Sequence, residues 1–207
     1  GVGTSLKHFA ANNREYDRFF QSSEMDERTL RETYCRAFEI ALNAKPWTVM
    51  CSYNRVNDVF ASENRMLLTD ILRTEWNFKG FVMSDWGAVA DRVKGVAAGL
   101  DLEMPGSGGF NDAEIVKAVK DGSLDEAVLD QAVERILRII YLYADNHTPQ
   151  EFTMEADHEE ARRIAEDSMV LLKNDGVLPL NPSEKIAFIG GFAKNPRFQG
   201  GGSSHIN

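Results

Sequence analysis

The chain has 207 residues and a formal net charge of −9, which is enough length for one full domain or for parts of two. The acidic balance argues against a nucleic-acid partner and against an anionic membrane, because both would repel the chain. A hydrophobic content of 43% with 27% charged residues is ordinary globular composition and argues against a disordered chain.

Neither a membrane-spanning apolar stretch nor a signal peptide is visible in the sequence. The chain opens on Gly1-Val2-Gly3 rather than on Met, so we expect it to be a fragment or one of several chains, and the compartment stays open. Cys35 and Cys51 lack metal-ligand spacing and do not make a disulfide framework. We expect both to be buried thiols.

The first half of the chain alternates predicted helices and strands, with strands that are apolar throughout. In chain order, the pattern predicts a helix from Met25, a strand over residues 47–53, a helix capped by Ser62, a strand over residues 81–83, a short helix near residues 89–97 and a strand over residues 99–104. Apolar strands separated by helices indicate parallel β-structure, either a (β/α) barrel or a doubly wound sheet.

Two further helices follow in the sequence. Asn111 is predicted to cap the first and Gly122 to end it, and a capping box from Ser123 to Glu126 starts the second. Beyond a polar, turn-rich segment, the pattern predicts a helix near residues 158–168 and a strand over residues 185–191. The last of these would be the first strand of a new α/β sheet.

Polar or reactive side chains stand just after the predicted strands. They are Lys7 and His8, Tyr53 and Asn54, Asp85 and Trp86, and Glu103. In a parallel barrel these strand ends share one face, so the side chains could converge there. We expect Asp91 and Asp101, by contrast, to be solvated or to cap helices.

Asp85 is the most informative of these residues. It follows a buried strand and precedes an indole, and an aromatic ring beside a carboxylate is what a sugar-cleaving site uses. The alternative is an aspartate that caps the following helix, since Asp is a favoured N-cap residue.

Four motifs occur in order, each at a predicted strand end. They are Lys7-His8-Phe9-Ala10-Ala11-Asn12-Asn13, Met50-Cys51-Ser52-Tyr53-Asn54, Ser84-Asp85-Trp86-Gly87 and Leu100-Asp101-Leu102-Glu103-Met104-Pro105. Together they resemble glycoside hydrolase family 3, the β-glucosidase and β-xylosidase family. The resemblance runs from about Leu6 to the glycine-serine loop at residues 200–203.

The resemblance implies a double displacement with retained anomeric configuration, in which Asp85 is the nucleophile. It implies that Lys7 and His8 bind sugar hydroxyls and that the hydroxyl of Tyr53 donates a hydrogen bond to the Asp85 carboxylate. Met50 and Trp86 would wall the sugar subsite. Ser203 of the second domain would reach over the sugar, or Ser204 if the register shifts by one.

The sequence also distinguishes between branches of the family. The N-acetylglucosaminidase branch is disfavoured, because Ala10-Ala11-Asn12-Asn13 stands where that branch has Pro-Gly-His-Gly. In the glucosidase branch the acid/base is a Glu downstream of the glycine-serine loop, and an Asp and an Arg precede the Lys-His pair. None of these three matches a residue of this sequence, so we expect the missing parts of the same protein, or a second chain, to supply them.

We therefore predict an α/β chain comprising the C-terminal half of a (β/α)8 TIM-like barrel over residues 1–144, a linker over residues 145–160 and the beginning of an α/β sandwich over residues 161–207. The predicted function is exo-acting hydrolysis of terminal β-linked glucosides, with no cofactor and no metal. A β-xyloside, another family 3 specificity or a non-catalytic sugar-binding relic is the alternative. Nucleotide binding is disfavoured by glycine spacing, and a metal hydrolase by the scattered histidines.

Overall fold

A computed structural model describes residues 2–149 and 151–205 of the chain. It divides into two compact units, Gly1–Pro149 and Gln150–Asn207. Gln150 of the predicted linker and residues 206 and 207 of the predicted second domain lie outside the described residues.

The first unit is organised around a parallel sheet. The strands found in the described part of the chain are β1 (Ser5–Phe9), β2 (Ser22–Ser23), β3 (Thr48–Cys51), β4 (Arg55–Val56), β5 (Val59–Phe60) and β6 (Phe81–Met83). β1, β3 and β6 pair in parallel in that order, and β2, β4 and β5 form a smaller sheet. The predicted α/β class with parallel strands is therefore confirmed.

Helices connect these strands, and the second unit also contains helices. The α-helices of the described residues are α1 (Glu27–Thr29), α2 (Arg36–Ala41), α3 (Arg92–Ala98), α4 (Phe110–Asp121), α5 (Glu126–Asn146), α6 (Met154–Asp167) and α7 (Gly191–Lys194). π-Helical turns cover Leu30–Cys35, between α1 and α2, and Met66–Glu75. Short 3₁₀ helices cover Leu42–Ala44, Ala61–Glu63 and Gly202–Ser204. No described helix combines the length and the apolar character that a membrane crossing needs.

The main core lies between one face of the parallel sheet and the helices that cover it. Its fully buried members include Phe9, Leu30, Val49, Leu67, Leu68, Ile71, Leu72, Val82 and Leu100. Because side chains alternate across a strand, Met50 points away from the face that carries Val49 and Cys51. It is buried, but it does not belong to this core cluster. Cys35 and Cys51 are buried free thiols, as predicted.

Two predicted strands are absent from the described residues. Around residues 99–104 only Leu102 pairs, through a single parallel bridge to Met83. Residues 185–189 have no strand partner, and the chain enters α7 at Gly191. A strand exists only by pairing with a neighbour, so an apolar run alone did not suffice at either place.

Three predicted helix caps are wrong for a common reason. Ser62 donates to the carbonyl of Ala88, 2.8 Å away, and Asn64 accepts the capping hydrogen bond from the backbone N–H of Leu67. Asn111 lies inside α4, whose N-cap is Gly109. Asp125, rather than Ser123, caps α5. A side chain that hydrogen-bonds to a distant segment, or to a nearer residue of its own segment, is not available to cap the helix that the sequence suggests.

Asp101 was expected to be solvated or capping, and this is wrong. Its side chain has no exposed surface, and its carboxylate pairs with Arg73 and, at 2.9 Å, with Arg135. Oδ2 also accepts a hydrogen bond from the backbone N–H of Val82 at 2.7 Å. Arg92 donates to the carbonyls of Leu100 and Asp101 at 3.0 and 2.8 Å. This buried ion cluster, Asp101 with Arg73, Arg92 and Arg135, joins β6 to α3, to α5 and to the helical segment Met66–Glu75.

Candidate active site

The backbone beyond β6 fixes the position of Asp85. The N–H of Ser84 donates to the carbonyl of Leu102, and the N–H of Gly87 donates to the carbonyl of Met104, each at 2.9 Å. The Oδ1 atom of Asp85 accepts from the N–H of Trp86 at 2.7 Å. The next helix begins at Arg92 and is capped by Asp91, so the alternative that Asp85 is a helix cap is wrong.

His8 faces the carboxylate from the neighbouring end of β1. Its Nε2 atom lies 3.2 Å from Oδ2 of Asp85, within hydrogen-bonding range. Burial lowers the pKa of His8 below its ordinary value, and the opposing attraction of Asp85 is the smaller effect. A neutral imidazole can orient the carboxylate by donating N–H while leaving its negative charge uncompensated.

Lys7 is exposed beside His8 at the same strand end. Its positive charge contributes to lowering the pKa of His8, although less than burial does. The two residues predicted to bind sugar hydroxyls therefore lie at the strand end that faces Asp85, one of them beside the carboxylate and the other open to solvent.

Tyr53 is buried next to Asp85, and its hydroxyl also reaches the backbone of the segment that carries Asp85. It donates to the backbone carbonyl of Trp86 at 3.0 Å. Burial, followed by hydrogen bonding with Asp85, raises the pKa of Tyr53. The Tyr53 hydroxyl thus lies close to the Asp85 carboxylate and donates to the backbone of the segment that carries Asp85.

The predicted subsite walls differ in exposure. Met50 is buried on β3, paired across the sheet with Met83, whereas 51% of the surface of Trp86 is exposed. A half-exposed indole beside a carboxylate offers a flat apolar face to a ligand. Ser203 lies in the second unit, exposed in the short helix Gly202–Ser204, and the side chain of Ser204 is outside the described residues.

Arg18 is a site residue that the sequence did not single out. Its guanidinium lies 4.4 Å above the ring of Tyr53 and pairs with Glu15 at 2.6 Å. Glu15 first, and more weakly Asp85, raise the pKa of Arg18. A surface arginine in a long loop carries no local signal, and only the fold brings it over Tyr53.

Glu103, one of the polar residues that follow the predicted strands, accepts a hydrogen bond from the side-chain amide of Asn111 at 2.7 Å. The contact joins the segment after Leu102 to the first turn of α4. Within residues 2–149 and 151–205 no three His, Cys, Asp or Glu side chains are grouped as metal ligands would be.

The glycosyl hydrolase family 3 N-terminal domain matches residues 1–139 of this chain. The chain belongs to glycosyl hydrolase family 3. The resemblance drawn from the four strand-end motifs is thereby confirmed, and the parallel sheet with its covering helices is consistent with this family's N-terminal domain.

Curated relatives of the family match along the whole chain. Thermostable beta-glucosidase B of Acetivibrio thermocellus is 56% identical over 100% of this chain and 28% of its own length. An exo-alpha-(1->6)-L-arabinopyranosidase of Bifidobacterium breve is 50% identical over 100% of this chain and 29% of its own length. The chain therefore spans less than a third of these relatives.

Solved family 3 structures share the fold. The beta-glucosidase of Bifidobacterium adolescentis aligns with a TM-score of 0.90 at 50% identity, over 99% of this chain and 30% of that one. Beta-glucosidase 3B of Thermotoga neapolitana, solved with alpha-D-glucose, aligns with a TM-score of 0.92 at 38% identity, over 100% and 30%.

Proposed function

We propose that this chain supplies the nucleophile side of a retaining β-glycosidase site that removes terminal β-linked sugars, glucosides first. The observation that carries the proposal is the placement of Asp85. It is a buried carboxylate two residues beyond β6, held by the N–H of Trp86 at 2.7 Å and faced by His8 at 3.2 Å.

In the proposed reaction the Asp85 carboxylate attacks the anomeric carbon, and the bond from that carbon to the aglycone oxygen breaks. The aglycone leaves with a proton from a general acid. Water then attacks the glycosyl ester, gives up its proton to the same group as base and regenerates the carboxylate. The Nε2 atom of His8, 3.2 Å from Oδ2, can donate a hydrogen bond that orients the carboxylate for this attack.

The general acid is proposed to come from outside this chain. Two carboxyl groups about 5–5.5 Å apart are needed for retention. Glu15 is the carboxylate of the neighbouring loop, and it is engaged by Arg18 at 2.6 Å and by the side-chain amide of Asn12 at 3.2 Å. An ion-paired carboxylate is poorly suited to donate a proton. We infer that the missing parts of the same protein, in one chain or two, complete the site.

The same reasoning gives the proposed division of the chain. Residues 1–144 would form the C-terminal half of a (β/α)8 barrel, residues 145–160 a linker and residues 161–207 the beginning of an α/β sandwich. The parallel order β1-β3-β6, with Leu102 bridging to Met83, supports four consecutive strand positions of such a barrel.

The sugar is the open part of the proposal. A β-glucoside is favoured by the beta-glucosidase names of the relatives, and a β-xyloside would fit the same chemistry. The second candidate is an exo-α-(1→6)-L-arabinopyranosidase, because two relatives of that name are each 50% identical to this chain. Initial rates of the full-length protein on the three corresponding aryl glycosides would rank the candidates.

Covalent trapping tests the chemistry directly. The full-length protein is incubated with a 2-deoxy-2-fluoro glucoside bearing a good leaving group, and peptide masses locate the adduct. We expect the adduct on Asp85 and a loss of turnover of several orders of magnitude in Asp85→Ala. Asp91→Asn, which alters the cap of α3, is the matched control. An adduct on another residue would overturn the assignment, and binding without any adduct would favour a non-catalytic sugar-binding relic.

The isolated 207-residue chain should show no useful hydrolysis of aryl β-glucosides, because it supplies only one of the two carboxyls. Turnover by the isolated chain that disappears in Asp85→Ala would show that the acid lies within it.

A further inference from the structure

The backbone pairing beside β6 departs from the regular pattern one residue before Asp85. Next to the bridge between Met83 and Leu102, the N–H of Ser84 donates to the carbonyl of Leu102 at 2.9 Å. In a regular parallel ladder the next hydrogen bond would run from the N–H of Met104 to the backbone carbonyl of Ser84. The N–H of Met104 donates instead to the side-chain oxygen of Ser84, at 2.8 Å. The hydroxyl thus replaces the carbonyl of its own residue in the ladder.

This replacement lets the chain turn at Asp85 while it stays attached to the neighbouring segment. A side-chain partner for the ladder frees the peptide between Ser84 and Asp85 to take another direction. The turn that follows is closed by the N–H of Ala88, which donates to the carbonyl of Asp85 at 3.1 Å. Gly87 within this turn has a positive φ of 76°, which glycine adopts without strain. The strand therefore ends at the point from which the carboxylate meets His8.

Met104 holds the chain on both sides of Asp85. On the near side, the hydroxyl of Ser84 accepts from the N–H of Met104 and donates to its carbonyl at 3.3 Å. On the far side, the N–H of Gly87 donates to the same carbonyl at 2.9 Å. Two of these three hydrogen bonds need the hydroxyl. Because Ser84 has no exposed surface, bulk water is poorly placed to replace them.

The segment that contains Met104 is itself fixed by two helices. Arg92, from α3, donates to the carbonyls of Leu100 and Asp101 at 3.0 and 2.8 Å. Asn111, from α4, donates its side-chain amide to Glu103 at 2.7 Å. A contact with this segment therefore sets a position relative to packed helices.

We propose that Ser84 is a positioning residue for the nucleophile: its hydroxyl sets where the strand ends and so directs the Asp85 carboxylate toward the anomeric carbon. The inference rests on the proposed function for the identity of the reacting group. A shift of about 1 Å in a reacting atom can cost about a hundredfold in rate. Loss of the hydroxyl should therefore slow the attack by Asp85 and leave sugar binding intact.

The test separates attack from binding in the full-length protein. The 2-deoxy-2-fluoro glucoside gives the first-order rate constant of inactivation, and methyl 1-thio-β-glucoside, which resists cleavage, gives a dissociation constant. We expect Ser84→Ala to lower the rate constant by about tenfold to a hundredfold and to change the dissociation constant by less than about twofold. Ser84→Cys keeps a weaker donor and acceptor and should give an intermediate rate constant.

Thr69→Val is the matched control. The hydroxyl of Thr69 also donates to a backbone carbonyl, that of Ala98 at 2.8 Å, and it joins the helical segment Met66–Glu75 to α3. Its loss should lower the melting temperature about as much as Ser84→Ala does, because each variant removes a side-chain hydroxyl that bonds to backbone. The inactivation rate constant should stay at the wild-type value.

His8 provides a readout that does not depend on the sugar. The attraction of Asp85 opposes the lowering of the pKa of His8 by burial, so a carboxylate that moves away lets this pKa fall further. Exchange of the imidazole C2 hydrogen across pH should give a lower midpoint for His8 in Ser84→Ala than in wild type. The midpoint should be unchanged in Thr69→Val.

The inference would be overturned by a loss of less than about tenfold in Ser84→Ala, by an equal loss in Thr69→Val, by a matching loss of binding or by an unchanged His8 midpoint. Should Ser84→Ala not fold, Ser84→Cys is compared with wild type, and a wild-type rate constant counts against the inference. A wild-type protein that forms no adduct would instead overturn the proposed hydrolysis, and the His8 midpoint would still decide the role of Ser84.

Discussion

His8 and Asp85 are in contact, with Nε2 of His8 3.2 Å from Oδ2 of Asp85. Residue 8 lies on β1 and residue 85 just beyond β6, and β3 runs between these strands. Two side chains 77 positions apart in sequence are thus brought together by the parallel sheet.

The titration of His8 should reveal this contact. Burial lowers its pKa and Asp85 partly opposes the change, so Asp85→Asn should lower the pKa further. Exchange of the imidazole C2 hydrogen, followed by mass spectrometry across pH, gives the midpoint. A midpoint that rises in Asp85→Asn would contradict the geometry.

The sign of the accompanying stability change follows from linkage. A lowered pKa means that the unfolded chain binds the proton more readily, so the contribution of His8 is complete above the unfolded value of about 6.5. It is lost as pH falls from there toward the folded pKa. His8→Gln should therefore flatten the acid side of a plot of urea midpoint against pH.

Removing the Tyr53 hydroxyl should slow formation of the glycosyl-enzyme. Tyr53→Phe leaves the Trp86 carbonyl without its donor, a loss of about 1–2 kcal/mol, or roughly tenfold in kcat/KM if the segment carrying Asp85 shifts. The rate of inactivation by the fluoro glucoside measures this step. Tyr16→Phe alters an exposed tyrosine and serves as control. Equal rates for both variants would mean that Tyr53 merely packs.

The buried ion cluster should be the most sensitive electrostatic feature for stability. Asp101→Ala leaves Arg73 and Arg135 without their shared carboxylate, which should cost about 3–5 kcal/mol. Glu134→Ala breaks an exposed pair with Arg138 and should cost less than about 1 kcal/mol. Urea midpoints of the full-length proteins compare the two, and similar shifts would argue against a buried cluster.

Gly80 should tolerate no side chain. A Cβ built on it would lie 1.9 Å from the carbonyl oxygen of Trp47, a backbone atom that cannot rotate away. Gly80→Ala should therefore destabilise the fold by about 1–3 kcal/mol or more. Gly106→Ala meets nothing within 4 Å and should change the stability by about 0.5 kcal/mol or less. Thermal unfolding of the two variants checks the difference, and indistinguishable melting temperatures would refute it.

The sequence predicted the features whose signals are local. The strand at residues 81–83 is a short apolar run, and Gly122 ends α4 with a positive φ of 79°, as a helix-stopping glycine does. The order of the motifs along the chain was enough to predict that Asp85 lies at a strand end.

Features that depend on distant partners could not be predicted in this way. Asp101 is buried because Arg73 and Arg135, 28 and 34 residues away, reach the same point. Ser62 does not cap its helix because Ala88, 26 residues away, takes its hydroxyl. Arg18 joins the site only because the loop after β1 folds over Tyr53.

β6 links the buried ion cluster to the proposed nucleophile over a very short path. Val82, which donates to Asp101, is three residues from Asp85, about 10 Å of extended chain. The same short piece of backbone is therefore fixed by the buried ion cluster and determines where Asp85 lies. Repacking the arginines of this cluster to raise heat resistance would therefore also shift the proposed nucleophile, so stability and the position of Asp85 cannot be tuned independently at this strand.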